Sequence, residues 1–563
     1  MTRNFTPYIY IIFLICFFQS AISQNFKLKV FAIDSIDNTI INKIDYEKLH
    51  SSDESITHEL GSILEEVHKK GFLNSSIDSI KKNDSITSAY ISLNEKFSAI
   101  RVYYNKNEIN FNEFENWNVS LTDNYFEVDL DNLEDLMFSI VSYYEKGGKS
   151  FTKVSLKNIR QYDNILIADL NLNVSQKRFI DDIVINGYEE FPETFVKYHL
   201  NLKKNTEFNE DKLNKLSNGI NVLPFANETK PPEILFTNDS TKIYLYLEKN
   251  KSNKFDGLIG FSTNERGKLE FNGYLDLQLQ NLLNKGEFFS VQWKSNADDR
   301  KSFDLLLETP YLFNTPITPV INLNIYKQDS TFLNLRTNLA LKYSFNSRNI
   351  VHFNYHAENS NDLRDEITSN EIQEYTSKNF GLGYINSIPD ENLLYQNKFS
   401  LEFNGIWGNR VTTLDNLRTK QQRLKLLAYY NWQLNKKNYL YIKTDNAILF
   451  SENILENELF RIGGANSIRG FNEESIFASQ YNVLNLEYRY YLTRISYLYS
   501  ITDFAYVQND INNFNSKLYS LGLGYTYNTN NGIIDLSYAI GKQENIPFDL
   551  QNSKFHIRLI QFF

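Results

Sequence analysis

The residues whose types and spacing suggest chemistry lie in one short stretch, residues 462–471, which reads IGGANSIRGF. Its glycines, Gly463, Gly464 and Gly470, allow close backbone packing where a side chain would not fit. Arg469 carries a planar, permanently charged guanidinium that can bind a carboxylate through two parallel hydrogen bonds. The pattern therefore indicates ionic recognition, although the same residues would also suit an ordinary glycine-containing surface loop.

Enzyme motifs are missing from the sequence. It contains no G-x-S-x-G nucleophile motif, no G-x-x-x-x-G-K-[ST] phosphate loop and no H-E-x-x-H zinc motif. His352 and His356 share one face of a predicted strand, so two metal ligands are conceivable, but no third ligand lies nearby in the sequence. We therefore predict no catalytic residues, no metal site and no cofactor, and we expect the protein not to be an enzyme.

The first 23 residues predict a secretory signal peptide. Arg3 gives a positive start, residues 8–18 are apolar, and the small residues at 21–23 suit cleavage. The apolar run is too short for a membrane helix, and no later stretch is long enough for one. Cys16 is the only cysteine and lacks the small preceding residues of a lipoprotein signal. We expect a mature chain without a lipid anchor, a disulfide or a thiolate metal site.

Composition excludes one class of partner. The chain has 563 residues and a formal net charge of -10, which argues against a nucleic-acid partner because such a partner favours a basic face. Aromatic residues make up 15 % of the chain, with 37 Tyr and 42 Phe. This abundance fits the aromatic girdles of a membrane barrel, and a soluble β-rich protein could carry as many.

Residues 24–250 predict three α+β modules, at 24–97, 98–177 and 178–250. The third shows the order β-α-α-β-β, with elements at 178–186, 193–202, 210–221, 232–238 and 242–248. Pro192 suits the start of its first helix. The second module is expected to have the same order, with a helix at 133–145 and strands at 151–160 and 165–174. The first shows a strand at 26–33, a helix at 57–70 and a strand at 89–95.

Residues 251–563 alternate apolar and polar side chains with a period of two, for example at 333–343 and 519–526. Each such run predicts a strand with one apolar and one polar face. In a soluble sandwich the apolar face would meet a second sheet, whereas in a membrane barrel it would meet lipid. Connections after even-numbered segments are mostly short, and the long ones, 359–374 and 451–479, follow odd-numbered segments, which is the outer-membrane pattern.

Sixteen segments can be counted in this region. They begin near residues 255, 268, 285, 301, 318, 332, 349, 375, 395, 420, 438, 480, 496, 516, 532 and 553. The predicted fold class is therefore multidomain, with N-terminal α+β modules followed by a 16-stranded antiparallel transmembrane β-barrel.

The stretch 462–471 resembles the signature of the outer-membrane assembly superfamily that includes BamA, TamA and FhaC, also called the bacterial surface antigen family. In that family a (V/I)RG(F/Y) loop between strands 11 and 12 folds back into the lumen of a sixteen-stranded barrel. The match consists of Ile468, Arg469, Gly470 and Phe471, preceded by the family's Gly463 and Gly464. Its position agrees, because eleven predicted segments precede it and five follow. The α+β modules resemble the family's POTRA modules, and the layout is closest to TamA.

Other stretches resemble the family at the expected places. These are NLLNKGE at 281–287, PYLFNTP at 310–316 and LEYR at 486–489. The last segment resembles the aromatic-ended strand by which such barrels are recognised for insertion, through Phe555, Ile557, Leu559 and Phe563. The resemblance therefore implies that Phe563 is needed for the chain's own insertion.

A partner for Arg469 is expected on the barrel wall. A loop folded into the lumen removes water from the guanidinium, so an unpaired charge would be costly. The first candidate is Asp503, in TDFA, which resembles the family's F-x-D-x-G with alanine in place of glycine. Asp535 and then Glu487 are the alternatives, because each lies on the polar face of a predicted strand.

The resemblance implies a non-enzymatic outer-membrane factor that assembles, inserts or translocates other proteins, with its POTRA modules in the periplasm. Its partners would be unfolded outer-membrane or secreted clients, the lipid bilayer, and possible periplasmic or lipoprotein accessory factors. The alternative is a dedicated secretion pore of the two-partner type, resembling FhaC. Relatives of that type usually have two POTRA modules and a plug helix, whereas this sequence predicts three modules and no plug. A diffusion porin is a third reading, which the modules and the RGF loop disfavour.

Overall fold

The computed structural model describes residues 26–34, 38–83, 86–106, 109, 120–263, 269–295, 300–364, 371–390, 397–529 and 532–563. The predicted signal peptide at 1–23 lies outside these residues. The chain divides into two compact units, Met1–Arg178 and Phe179–Phe563. Within the described ranges, no helix is both long and apolar enough to cross a membrane.

The first unit begins with a four-stranded sheet covered by a helix. Its elements are β1 (Phe26–Ala32), α1 (Asn38–Ile41), β2 (Leu49–His50), α2 (Asp53–Lys69), β3 (Ser76–Asn83) and β4 (Ile86–Ser92), with strand order β2-β1-β4-β3. Helix α2 is capped by Ser52, whose hydroxyl accepts a hydrogen bond of 3.2 Å from the backbone N–H of Ser55. Three or four residues separate its buried side chains, which form one apolar stripe: Ile56, Leu60, Ile63 and Val67.

The second module of this unit is a five-stranded sheet with one helix among its described residues. Its elements are β5 (Ala99–Tyr103), β6 (Ser120–Leu121), β7 (Tyr125–Asp129), α3 (Leu130–Lys146), β8 (Lys153–Tyr162) and β9 (Ile165–Asn173), with strand order β6-β7-β5-β9-β8. The expected first helix is not seen in the described part of the β5–α3 connection, which instead forms β6 and β7. Alternation explains this, because Phe126 and Val128 are buried two residues apart, as a strand requires.

The second unit opens with a module of the order β-α-α-β-β. It comprises β10 (Asp182–Asn186), α4 (Glu193–Tyr198), α5 (Glu210–Asn221), β11 (Ala226–Phe236) and β12 (Thr241–Lys249). Strand β10 pairs in parallel with β12, which pairs antiparallel with β11. Because parallel neighbours need a crossover, the two helices lie between β10 and the later strands in the chain.

The rest of this unit is a closed antiparallel barrel of sixteen strands, which confirms the predicted fold. The strands are β13 (Lys254–Thr263), β14 (Leu269–Gln280), β15 (Phe288–Ser295), β16 (Lys301–Glu308), β17 (Ile317–Gln328), β18 (Phe332–Ser344), β19 (Asn349–Asp362), β20 (Tyr375–Pro389), β21 (Asn397–Thr412), β22 (Arg418–Gln433), β23 (Asn438–Ser451), then β26 (Gln480–Thr493), β27 (Ser496–Asn509), β28 (Phe514–Thr529), β29 (Gly532–Gln543) and β30 (Lys554–Phe562). Between β23 and β26, strands β24 (Phe460–Ile462) and β25 (Ile476–Ala478) form a separate hairpin.

The barrel is apolar outside and polar inside. On β20, Phe380 and Leu382 are each 50 % exposed, whereas Ser377 and Asn379 are buried. A soluble sheet buries the apolar side chains of such an alternation, so the soluble-sandwich alternative is wrong. An exposed apolar face around a closed barrel is the arrangement that meets lipid.

The β10–β12 module is packed against two turns at one end of the barrel, those after β14 and β16. The ring of Phe195 lies edge-on to Tyr311, with 5.0 Å between ring centroids. Tyr188 donates a hydrogen bond of 2.7 Å to Asn284 Oδ1 and accepts one of 2.8 Å from Asn281 Nδ2. These contacts hold the module against the barrel. Both turns lie in the stretches 281–287 and 310–316, which resemble the family.

We expect Gly286→Ala to weaken this packing. Gly286 has a φ of +74°, and a Cβ there would lie 2.0 Å from Cε2 of Phe195, a ring that is itself buried in the core. Strain and overpacking of this kind cost about 1–3 kcal/mol. Thermal unfolding of the purified protein in detergent, with limited proteolysis near residue 250, would measure the loss.

Gly61→Ala is the matched control. Gly61 lies within α2, and apart from its chain neighbours and the backbone of its own helix no atom lies within 4 Å of the added methyl group. This change should leave stability equal or raise it by about 0.5–1 kcal/mol. Equal stability of Gly286→Ala and the wild type would contradict the packing described.

Candidate functional site

The candidate site is formed by the connection between β23 and β26, residues 452–479. A 3-10 turn at Glu456–Glu458 precedes the β24–β25 hairpin, whose tip spans residues 463–475. Apolar packing fixes this tip, because Ile468 is fully buried in a cluster with Ile462 and with Val483 of β26. The chain therefore folds inward against the barrel wall rather than out into solvent.

The glycines of the tip allow this approach. Gly463, Gly464 and Gly470 have φ values of +115°, +93° and +82°, which disfavour other residues. A Cβ on Gly470 would lie 2.4 Å from the backbone nitrogen of Gly541 in β29. A Cβ on Gly541 would in turn lie 2.6 Å from the ring of Phe471. The tip thus lies directly on the backbone of β29.

Arg469 is bound by two carboxylates of the wall. Its Nε donates to Asp503 Oδ2 at 2.9 Å, its Nη2 donates to Oδ1 at 2.5 Å, and its backbone N–H donates to Oδ2 at 3.0 Å. Its Nη1 donates to Glu487 Oε1. Arg469 is 7 % exposed and Asp503 is fully buried. The guanidinium of Arg469 is therefore bound by two carboxylates on neighbouring strands, Glu487 of β26 and Asp503 of β27.

A second arginine shares Glu487. Arg489 donates from Nε to Glu487 Oε2 at 2.8 Å and from Nη1 to Asn431 Oδ1 at 3.2 Å. Its guanidinium lies 4.0 Å from the ring centroid of Tyr441. Glu487 therefore connects the loop to a polar and aromatic network on β22, β23 and β26.

Asp535, the second candidate partner of Arg469, is bound elsewhere. It accepts hydrogen bonds from Tyr499 at 2.9 Å, from Thr526 at 3.1 Å and from Arg558 Nη2 at 2.8 Å. Strand register explains the difference, because Asp535 lies opposite Thr526 and Arg558 on its neighbouring strands. The structure thus brings together Arg469, Asp503 and Glu487, and it places Asp535 in a separate group.

A second contact of the loop, at β21 and β22, was not anticipated from the sequence. Glu458 accepts hydrogen bonds from Arg410 Nη1 at 2.7 Å and from Gln421 Nε2 at 2.5 Å. The side chains of Arg410 and Glu458 are both fully buried. The only sequence signal is that Arg410 and Gln421 occupy polar-face positions, which does not indicate a partner.

The neighbouring Asn457 extends this contact to β18 and β19. Its backbone oxygen accepts a hydrogen bond of 2.7 Å from Asn334, and its Nδ2 donates to Ser360 Oγ at 2.7 Å and to the carbonyl of Gln373 at 2.8 Å. The loop is therefore held at two places, by Arg469 near β26 and β27 and by Asn457 and Glu458 near β18–β22.

Buried charge continues along the wall from this second contact. Glu358 of β19 is fully buried and accepts hydrogen bonds from Arg336 Nε at 2.6 Å and Arg423 Nη1 at 3.3 Å. His356 Nε2 lies 3.7 Å from its Oε2, and Nδ1 of His352 donates a hydrogen bond of 3.0 Å to Asn354 Oδ1. Among the described residues, no group of three His, Cys, Asp or Glu side chains could hold a metal.

The first and last barrel strands meet over a short length. Strand β13 pairs with β14 at ten positions, but in the described strands it pairs with β30 only at Lys254–Phe562 and Phe255–Gln561. The predicted insertion residues Phe555, Ile557 and Leu559 are exposed on the outer face of β30. Phe563, just beyond this strand, donates its backbone N–H to the carbonyl of Asn253 at 3.0 Å.

The comparisons with known proteins concern the fold. No protein-family model matches the sequence, and no curated protein matches it. CdiB from Escherichia coli is similar with a TM-score of 0.51 and 12 % identity, over 90 % of this chain and 98 % of that chain. CdiB from Acinetobacter baumannii is similar with a TM-score of 0.50 and 15 % identity, over 76 % and 82 %. At these identities the likeness shows that this chain shares the fold of CdiB.

Proposed function

We propose that this chain, which shares its fold with CdiB, is an outer-membrane factor that inserts or translocates other polypeptides without enzymatic chemistry. The observation that carries the proposal is the short pairing of β13 with β30. Lipid cannot satisfy an unpaired backbone N–H or C=O, so a strand edge in the membrane is a strong template for another strand. A client strand would pair along β13, at positions where β30 does not.

The modules supply further edges for an unfolded client. In the β10–β12 module, β10 is an edge strand with one partner, β12. Strand β11 is the other edge, and Pro231 and Pro232 interrupt its pairing between Lys230 and Glu233. Prolines blunt a strand edge, so β10 is the better edge for adding an extended peptide. We place the modules in the periplasm, where clients arrive unfolded.

A disulfide across the seam tests the proposal. Phe255→Cys with Gln561→Cys joins residues that face each other on β13 and β30. Cys16 is the only native cysteine and lies in the predicted signal peptide, so no other thiol should compete. Oxidation should stop insertion of barrel clients into membranes by the purified protein, and reduction should restore it.

The control joins two strands that are already fully paired. Tyr527→Cys with Ile534→Cys links β28 to β29 on the same outer face, and oxidation there should leave activity unchanged. Full activity of the oxidised seam variant would refute the proposed template.

Depletion of the protein followed by proteomics of the outer membrane separates the two forms of the proposal. Loss of many barrel proteins would establish assembly. Loss of one exported protein, with other barrels unchanged, would establish the alternative, a dedicated secretion pore.

A further inference from the structure

A cavity of about 230 Å³ lies between the lumen loop and the wall formed by β18, β19 and β22. It is separate from the Arg469 contact. Cationic side chains dominate its lining: Arg336, Arg423, Lys425 and Arg461, beside His356. The cavity far exceeds the ~10–15 Å³ that one buried water requires.

Several donors that line this cavity are buried without a hydrogen bond. They are Nε and Nη2 of Arg423 and Nη1 of Arg461, and the ring nitrogen Nε2 of His356 is also without a hydrogen bond. Arg423 is 8 % exposed, so solvent does not replace the missing partners. Buried polar groups normally have partners, and unpaired charged donors are the most costly.

The carboxylates near the cavity leave several arginine nitrogens without a hydrogen bond. Glu358 binds Nε of Arg336 and Nη1 of Arg423, which leaves the other two nitrogens of Arg423 free. Glu474 forms an ion pair with Arg461, with 4.0 Å between its Oε2 and Nε, but it leaves Nη1 of Arg461 without a hydrogen bond. Glu458 also lines the cavity, but its Oε2 and Oε1 accept from Arg410 and Gln421.

Lys425 completes the cationic lining. It is on the inward face of β22, with its Nζ 5.3 Å from the ring centroid of Phe460. The ring attracts the ammonium but accepts no ionic hydrogen bond. Arg461 is similarly placed, 3.5 Å from the ring centroid of Tyr326.

We propose that this cavity binds a phosphate-type oxyanion. Guanidinium forks match tetrahedral oxyanions through parallel hydrogen bonds, and a lysine adds a point charge. Such an anion accepts hydrogen bonds from several of these donors at once. It also balances their positive charge, which a water molecule cannot do. It would connect Arg423 and Lys425 of the wall to Arg461 of the loop, and so would fasten the loop. The inference does not depend on the proposed assembly or translocation function.

Titration of the full-length protein in detergent with inorganic phosphate tests the site. The unfolding temperature should rise with phosphate and level off, because a ligand that binds the folded state stabilises it. Sodium chloride at equal ionic strength should not reproduce this effect. A wild-type response to phosphate that equals the chloride response would overturn the proposal.

The variant Lys425→Gln with Arg461→Gln should need at least about tenfold more phosphate for the same shift, because it loses two charged donors. Both substitutions leave the Glu358 ion pairs intact. Lys425→Gln alone, at an exposed lumen position, guards against misfolding of the double variant and should show the same direction of change. An unchanged phosphate response in both variants would contradict the assignment.

Lys420→Gln is the matched control. Lys420 lies on β22 as well, but on the outward face, so its loss removes the same charge without changing the cavity. It should respond to phosphate like the wild type, and weakening equal to that of Lys425→Gln would show a non-specific charge effect and overturn the site.

Further titrations of the same protein distinguish a free phosphate from a lipid headgroup. Glycerol phosphate and bilayer nanodiscs that contain phosphatidic acid are compared with inorganic phosphate. Stabilisation by soluble phosphates alone would assign a free anion. Stronger stabilisation by the phosphatidic acid discs, lost in the double variant, would assign a lipid headgroup.

Discussion

Arg469→Ala is expected to lower the free energy of unfolding of the barrel by about 3–5 kcal/mol, because it leaves a buried carboxylate without its guanidinium. Asp503 is fully buried and would keep only its hydrogen bond from the backbone N–H of residue 469. Glu487 would keep Arg489, so the loss falls mainly on Asp503. Loss of heat-resistant migration on gels, together with loss of activity, would measure the effect.

Two further variants separate charge from geometry at this position. Arg469→Lys keeps the charge but loses the fork that binds both oxygens of Asp503, so an intermediate loss is expected. The swap of Arg469→Asp with Asp503→Arg should partly restore stability relative to Arg469→Asp alone. Rescue should be partial because residue 469 would then carry a carboxylate close to Glu487.

Arg558→Ala is the control for this series. Arg558 is 54 % exposed at its side chain, and its partner Asp535 keeps Tyr499 and Thr526. An exposed ion pair is worth about 0–1 kcal/mol, so a small change is expected. Full activity and normal heat resistance of Arg469→Ala would refute a bracing role for the loop.

Arg410→Met is expected to have an effect of similar size at the other end of the loop, about 3–5 kcal/mol. The side chains of Arg410 and Glu458 are fully buried, and the substitution would leave the carboxylate with Gln421 and the backbone N–H of Leu455. Because Glu458 belongs to the loop, its contact should fail before the wall does. Reactivity of a cysteine placed at Leu455, whose side chain is buried in the intact loop, would report the release.

A double variant that removes both charges shows whether stability is lost because Glu458 is left unpaired or because the ion pair itself is required. Arg410→Met with Glu458→Leu removes both buried charges of this contact and should recover much of the stability, as buried pairs replaced by apolar residues often do. Arg418→Met, on the outward face of β22, is the matched control and should change stability by no more than about 0.5 kcal/mol. Wild-type stability of Arg410→Met would show that Glu458 is not held by this arginine.

The barrel could be predicted closely because its signals are local. Period-two alternation and short polar turns mark each strand, so segments predicted near 301, 332, 349, 375, 438, 480, 496 and 532 begin at those residues. The β6–β7 hairpin was missed because β7 has only five residues and β6 two, too short for a clear period. An alternation of apolar and polar residues this short cannot be distinguished from part of a loop or a helix.

The loop contacts show where sequence reasoning stops. The family motif predicts Asp503 as the partner of Arg469. A choice between Glu487 and Asp535 as the other partner requires knowing which strand lies beneath the loop tip, and the sequence does not give this. The pair Arg336 and Glu358 lies directly opposite on β18 and β19, so the hairpin register alone would have predicted it. Arg410 and Glu458 are different, because a loop crossing the lumen brings together residues that no strand register relates.

The packing of the β10–β12 module on the turns after β14 and β16 has a mechanical consequence. Phe195, Tyr188 and Tyr311 join the module to these turns through ring packing and a hydrogen bond, so a force on the module reaches the turns. Strand β14 is the neighbour of β13, whose other edge is the short seam. Under the proposed function, a client that pulls on the module would therefore load β13 and β14, the strands beside this seam. The module would then act as a lever that transmits the tension of a captured chain to the short seam between β13 and β30.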